Sequence, residues 1–166
     1  MAAAGSTFVV GIDENDTMYT WGRNNHDTLG TSGSDRTTPV ALGGTWKSVS
    51  LNATSHVVAI NSAGELYSWG YNQFGQLGRP GGSAPAQITE GETMNHTSVP
   101  DFDQKIWTNS IGGGSFSLAV TSEGELWGWG HNRYGMLGNG ENGTDSDQAS
   151  ANRSRPVQIG GTTTRR

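Results

Sequence analysis

Residues 68–78 read SWGYNQFGQLG, and two other segments share that frame: TWGRNNHDTLG at 20–30 and GWGHNRYGMLG at 128–138. Five of the eleven columns are identical in all three copies. They are Trp21/Trp69/Trp129, the Gly that follows each, Asn24/Asn72/Asn132, Leu29/Leu77/Leu137 and Gly30/Gly78/Gly138. The Trp-to-Leu spacing never changes, whereas the copies lie 48 and then 60 residues apart. A constant frame with variable spacing describes a repeated structural unit with loops inserted between copies.

Working outward, each copy is preceded by the same three pieces. SHVVAI, NSAGE and LYSW lead to Trp69, SFSLAV, TSEGE and LWGW lead to Trp129, and STFVVGI, ENDT and MYTW lead to Trp21. Phe8, His56 and Phe116 each stand thirteen residues before their Trp, a second fixed spacing. The alternating, β-branched segments read as strands and the polar segments between them as hairpin turns. Asp16, Gly64 and Gly124 share a turn column that predicts a positive φ, and Asp27, Gly75 and Gly135 form a second such column. The invariant Asn after Trp-Gly is placed to bond its own backbone and shape a bend.

A further strand follows each frame: PVAL at 39–42, PAQI at 85–88 and PVQI at 156–159, each opened by a Pro that suits a sheet edge. TWKSVSL at 45–51 and IWTNSIG at 106–112 open the next units. The unit therefore has four strands, a to d in chain order. In strand c one face carries Tyr19/Tyr67/Trp127 and Trp21/Trp69/Trp129. The other carries Met18/Leu66/Leu126 and the small column Thr20/Ser68/Gly128. A sheet apolar on both faces must be sandwiched, and the radial solution is a β-propeller.

Composition agrees. The chain has 166 residues with 26 Gly, six Trp and only 32% hydrophobic residues, and no stretch shows a helical apolar period. The net charge of −5 disfavours nucleic-acid binding through a basic surface. The cluster Arg153, Arg155, Arg165 and Arg166 reads as a solvated tail. There is no cysteine, hence no disulfide or thiolate chemistry. The start MAAAGSTFVVGI lacks the pattern of a secretory signal, and no apolar run reaches the length of a membrane span. Virion or cytoplasm are both open as locations.

With these residues set out, GELYSWGYNQFGQLG at 64–78 and the closing PVQI resemble the repeat of the regulator-of-chromosome-condensation family. The resemblance covers residues 5–161 as three repeats. The family's repeat usually carries a His in strand b, which here survives only as His56 and is Phe8 and Phe116 in the other copies. The resemblance implies an all-β chain of propeller blades, each of four antiparallel strands, in a ring of typically seven. Three repeats make about three blades: a partial or open propeller, or part of a ring completed by other chains. The chain is read as a single repeat domain over 1–166, with repeats near 1–44, 45–105 and 106–161. Because no strand-a Trp precedes STFVV, the first unit is expected to start inside a blade.

Two loops exceed the bare repeat, residues 89–105 and 139–155, and antiparallel alternation places them at opposite rims. Long loops on a rigid scaffold are common binding parts. The first holds the candidate contact residues Met94, His96, Asp101, Phe102 and Asp103. Trp21, Leu29, Trp69, Leu77, Trp129 and Leu137 are expected to form the structural core of the repeat.

No catalytic, cofactor or metal site is expected. His26, His56, His96 and His131 share no ligand spacing, and Asp145-Ser146-Asp147 lacks the rest of a calcium loop. Gly112-Gly113-Gly114 lacks the Lys and following helix of a phosphate loop and reads as a turn. The expected function is a non-enzymatic protein-interaction or structural module. Its partners would be proteins, self-association included, with neither nucleic acid nor membrane, and it would serve as a subunit of a larger assembly such as a phage virion or tail. The family resemblance also implies two alternatives: a nucleotide-exchange factor for a small GTPase, which needs a full ring and a wedge, and a secreted inhibitor of an enzyme.

Overall fold

The computed structural model describes residues 1–51, 56–80, 84–88, 102–143 and 151–160. These hold twelve strands in three antiparallel sheets, each in simple sequence order. The first sheet is β1 (Ala2–Ala4), β2 (Phe8–Ile12), β3 (Met18–Gly22) and β4 (Arg36–Leu42). The second is β5 (Trp46–Leu51), β6 (His56–Asn61), β7 (Leu66–Gly70) and β8 (Ala86–Gln87). The third is β9 (Trp107–Gly112), β10 (Phe116–Thr121), β11 (Leu126–Gly130) and β12 (Arg153–Ile159). The architecture is three four-stranded propeller blades in an open arrangement.

The central hairpin has one register throughout. Phe8 pairs with Gly22, His56 with Gly70 and Phe116 with Gly130. Each hairpin turns on a residue with positive φ: Asp16 at 61°, Gly64 at 83° and Gly124 at 82°. In the first turn the Asp13 carboxylate accepts the backbone N–H groups of Asn15 and Thr17, each at 2.9 Å. These bonds, Thr17's foremost, hold its pKa below the usual carboxylate value.

Two expectations need correction. The first unit does not start inside a blade, because Ala2–Ala4 pairs with Val9–Gly11 as its strand a. Three alanines carry little strand propensity of their own, and the pairing comes from the neighbouring edge of β2. Pro85 directly precedes β8 as expected, but Pro39 and Pro156 do not open strand d, since β4 begins at Arg36 and β12 at Arg153. Thr20 pairs with Val40 and Gly22 with Arg36, so residues 37–39 bulge opposite Trp21 alone. The same bulge sets residues 154–156 opposite Trp129. Pro39 and Pro156 fall inside these bulges, where no ladder N–H is required.

The core lies between blades, as the two-faced strand pattern requires. One cluster joins Phe8, Val10, Ile12 and Met18 of the first blade to Trp46, Val49, Val57 and Trp69 of the second. The next joins Val58, Ile60 and Leu66 of the second to Trp107, Ala119, Trp127 and Trp129 of the third. Successive residues of a strand point to opposite faces, so the middle blade should be buried on both. From His56 to Ile60 every residue of β6 is buried. In β2 and β10 burial alternates instead. Among the described residues no helix is long and apolar enough to cross a membrane.

Candidate functional site

The repeated frame builds a lock between strands c and d. Asn24 accepts the Leu29 N–H through Oδ1 at 2.9 Å and donates through Nδ2 to the Thr31 and Gly33 carbonyls. Asn72 and Asn132 bind Leu77 and Leu137 in the same way, at 3.0 and 2.9 Å. A buried Asn side chain satisfying three backbone groups makes the bend rigid and keeps the following Leu turned inward. Leu29, Leu77 and Leu137 are buried.

Each lock then serves the next blade. Trp69 Nε1 donates to the Thr28 carbonyl of the first lock at 3.0 Å, and Trp129 Nε1 to the Gln76 carbonyl of the second at 2.9 Å. Thr28 and Gln76 occupy the same column of the frame. Aromatic contacts follow the same rule. His26 stacks on Tyr71 at 4.6 Å between ring centroids, and Phe74 on His131 at 4.8 Å. In both, the seventh column of one frame meets the fourth column of the next.

The blade–blade interface is thus a defined surface, and the chain carries half of it at each end of the row of blades. On the first blade the outward face of β2 and β3 bears Val9, Gly11, Tyr19 and Trp21, all half-buried. Of the corresponding residues in the second blade, Val57, Ala59 and Trp69 are fully buried, while Tyr67 stays half-buried. On the third blade the outward face bears Phe116, Leu118 and Val120 of β10, Leu126 of β11 and Ile159 of β12. Leu126 is 37% exposed, whereas Leu66 in its column is 1% exposed. At the rim of this face Tyr134 is 74% exposed, with the Arg133 guanidinium over its ring. Contiguous exposed apolar surface of this kind marks interaction sites.

The expected contact loop fares differently. Met94, His96 and Asp101 lie outside the described residues. Phe102 is a core residue: it packs on Trp107 and Trp127, each at 5.6 Å between centroids, and is 4% exposed. Its ring therefore anchors the end of the insertion and is no contact surface. Asp103 is exposed beside it. Lys105 then pairs with Glu125 at 2.6 Å, which ties the insertion's end to the β10–β11 turn and holds the Glu125 pKa down. In the second insertion Asn139 and Glu141 accept from the Asn132 amide, and Glu141 pairs with Arg153. Residues 144–150 lie outside the described part.

Of the expected core residues, Trp69, Trp129 and the three leucines are buried, while Trp21 is only half-buried because none of the described blades covers its face. The sequence implies a partial propeller with uncovered faces, but not which residues line them, because each column reads as uniform in the sequence. The usable signal was position: a column facing inward in the middle repeat faces outward in the first or last.

Models of the regulator of chromosome condensation (RCC1) repeat match residues 46–76 and 112–135 in one case and 63–120 in another. No curated protein matches the chain significantly. Among solved structures, human WBSCR16 is similar with 18% identity and a TM-score of 0.74, over 96% of this chain and 37% of that one. Yeast RCC1 (Prp20), in a structure bound to Kap60, is 19% identical with a TM-score of 0.73, over 99% of this chain and 37% of that one. A second structure of Prp20p from Saccharomyces cerevisiae, described with its binding to Gsp1p and histones, has the same identity and TM-score and is covered over 39%. The chain spans less than two fifths of the length of these structures.

Proposed function

Because the chain belongs to the regulator of chromosome condensation repeat family, we propose that it is a protein-interaction module whose contact surfaces are its two uncovered blade faces. The observation that carries this is the burial of the shared columns. Residues sealed between blades at the second position stand half-open on the first and third. Similar propellers hold protein partners, Kap60 with yeast RCC1 and Gsp1p and histones with Prp20p, which supports protein as the class of partner.

The role is read as non-enzymatic. Several of the polar side chains inside the blades serve structure: Asn24, Asn72 and Asn132 the locks, and His56 and Ser117 a bond between blades. The finer reading, a subunit of a larger assembly, is supported by the open faces. Its form as a phage virion or tail component rests only on the likeness of the Gly-, Ser-, Thr- and Asn-rich blades to prokaryotic and viral members of the family. A photo-crosslinking residue at Tyr19 or Leu126, in the organism that makes the chain, should yield protein adducts. The same residue at the exposed turn position Glu14 should not. Equal yields at all three positions would overturn the proposal.

A further inference from the structure

We infer that the two open faces are made for one another: the third blade of one copy covers the first blade of a second copy, head to tail. This rests on the reading of the faces as protein-contact surfaces and names the partner. Such a contact would continue the two blade–blade interfaces inside the chain. A foreign partner needs to match only one face. Here the two faces carry the two halves of one interface, on the same chain, with matched chemistry.

Three pairs of columns show the match. In the first, Phe8 of one blade and Val57 of the next share an apolar cluster. At the second interface the same two columns hold His56 and Ser117, hydrogen-bonded at 2.9 Å. The columns change together, apolar with apolar and polar with polar. The outward pair is Phe116 on the third blade and Val9 on the first, a return to the Phe–Val combination.

The second match is the Trp bond. Trp69 and Trp129 each donate to the ninth-column carbonyl of the preceding frame. Trp21 Nε1 makes no such bond among the described residues, and the ninth column of the last frame is Met136. The third match lies at the rim, where the seventh column of one frame stacks on the fourth column of the next. The outward members are the exposed Tyr134 and the exposed Arg23, a cation and an aromatic face suited to one another. The contact uses different patches on the two copies, so it is heterologous: it closes a ring if the rotation allows and otherwise extends.

The test uses the purified chain. Sedimentation should show association that grows with concentration. Trp21→Arg blocks the first-blade face and Leu118→Arg the third-blade face. Both positions are half-exposed, and unchanged far-ultraviolet circular dichroism with a cooperative urea transition checks that each variant is folded. Each alone should be monomeric, and an equal mixture should form a one-to-one pair, because each variant keeps the half that the other lost. Tyr134→Ala, at a solvent-exposed rim position, should weaken wild-type association roughly two- to fivefold. A wild-type chain that stays monomeric at high concentration overturns the inference and leaves the faces to further blades or to another protein. Crosslinks from Tyr19 to other proteins would then still support the interaction module. Variants that self-associate singly but gain nothing on mixing would show like faces pairing, which also overturns it.

Discussion

His56 Nε2 lies 2.9 Å from Ser117 Oγ, and that bond crosses from the second blade to the third. Ser117 spends its one proton on the Gln76 carbonyl at 2.8 Å, so its oxygen accepts from His56. The imidazole therefore carries its proton on Nε2, and Nδ1 is buried with no partner among the described residues. A second proton would place an unpaired donor and a charge in the core. Burial accordingly pushes the His56 pKa down to about 4.

The sign of the pH effect follows. The unfolded chain takes up a proton near the ordinary value of about 6.5, and the folded chain only near 4. The unfolded state binds more protons in that window, so stability is whole above about pH 7 and falls as pH drops toward 4. Between pH 7 and pH 5 this one group should cost about 2 kcal/mol. Urea unfolding at the two pH values should show the loss, and His56→Phe, which installs the residue of the other two copies, should remove most of it. An equal loss in the variant would assign the acid sensitivity elsewhere.

Trp69 and Trp21 share a column but not an environment. Trp69→Ala should cost about 3–5 kcal/mol, because it empties a sealed position and removes the bond to Thr28. Trp21→Ala should cost under about half of that, measured at concentrations where the chain is monomeric, since its ring is half in water already. Equal costs in urea unfolding would mean that the first-blade face is covered within the chain.

Gly75 and Gly135 also share a column, with φ of 80° and 73°. A Cβ on Gly75 would sit 2.6 Å from the Ser154 backbone, while one on Gly135 meets nothing closer than 3.7 Å. Asp27 fills the same column in the first frame at a φ of 58°. Gly135→Asp should therefore change stability by no more than about 1 kcal/mol, whereas Gly75→Asp should cost at least about 2 kcal/mol through a backbone clash. Thermal unfolding of the two variants side by side decides this.

Phe102 lies at the end of the first insertion, where a contact residue was expected. Its packing on Trp107 and Trp127 predicts that Phe102→Ala destabilises the third blade by about 3 kcal/mol. A variant of unchanged stability that lost binding to a protein partner would restore the contact reading.

Much of the blade was legible because its rules are local. The positive-φ turns at Asp16, Gly64 and Gly124 and the locks at Asn24, Asn72 and Asn132 use residues a few positions apart, and the repeated frame printed them three times. The left-handed φ of 57° at His26, beside Asp27, was not legible, because neither other frame has its like. The alanine strand β1 was missed for a related reason. Its pairing is imposed by β2 and written in no residue of its own.

The sequence by itself determined the unit: four strands, two apolar faces and a bend closed by Trp, Asn and Leu, since strand alternation and turn chemistry act over neighbouring residues. Only the tertiary structure decided which copies of a column are sealed. The bonds from Trp69 to Thr28, Trp129 to Gln76 and His56 to Ser117 span 41, 53 and 61 positions. Burial depends on whether another sheet stands against a face, and identical columns have such a neighbour in the middle of the row and lack it at the ends. That is why Trp69 and Leu66 are core while Trp21 and Leu126, which share their columns, remain open to a partner.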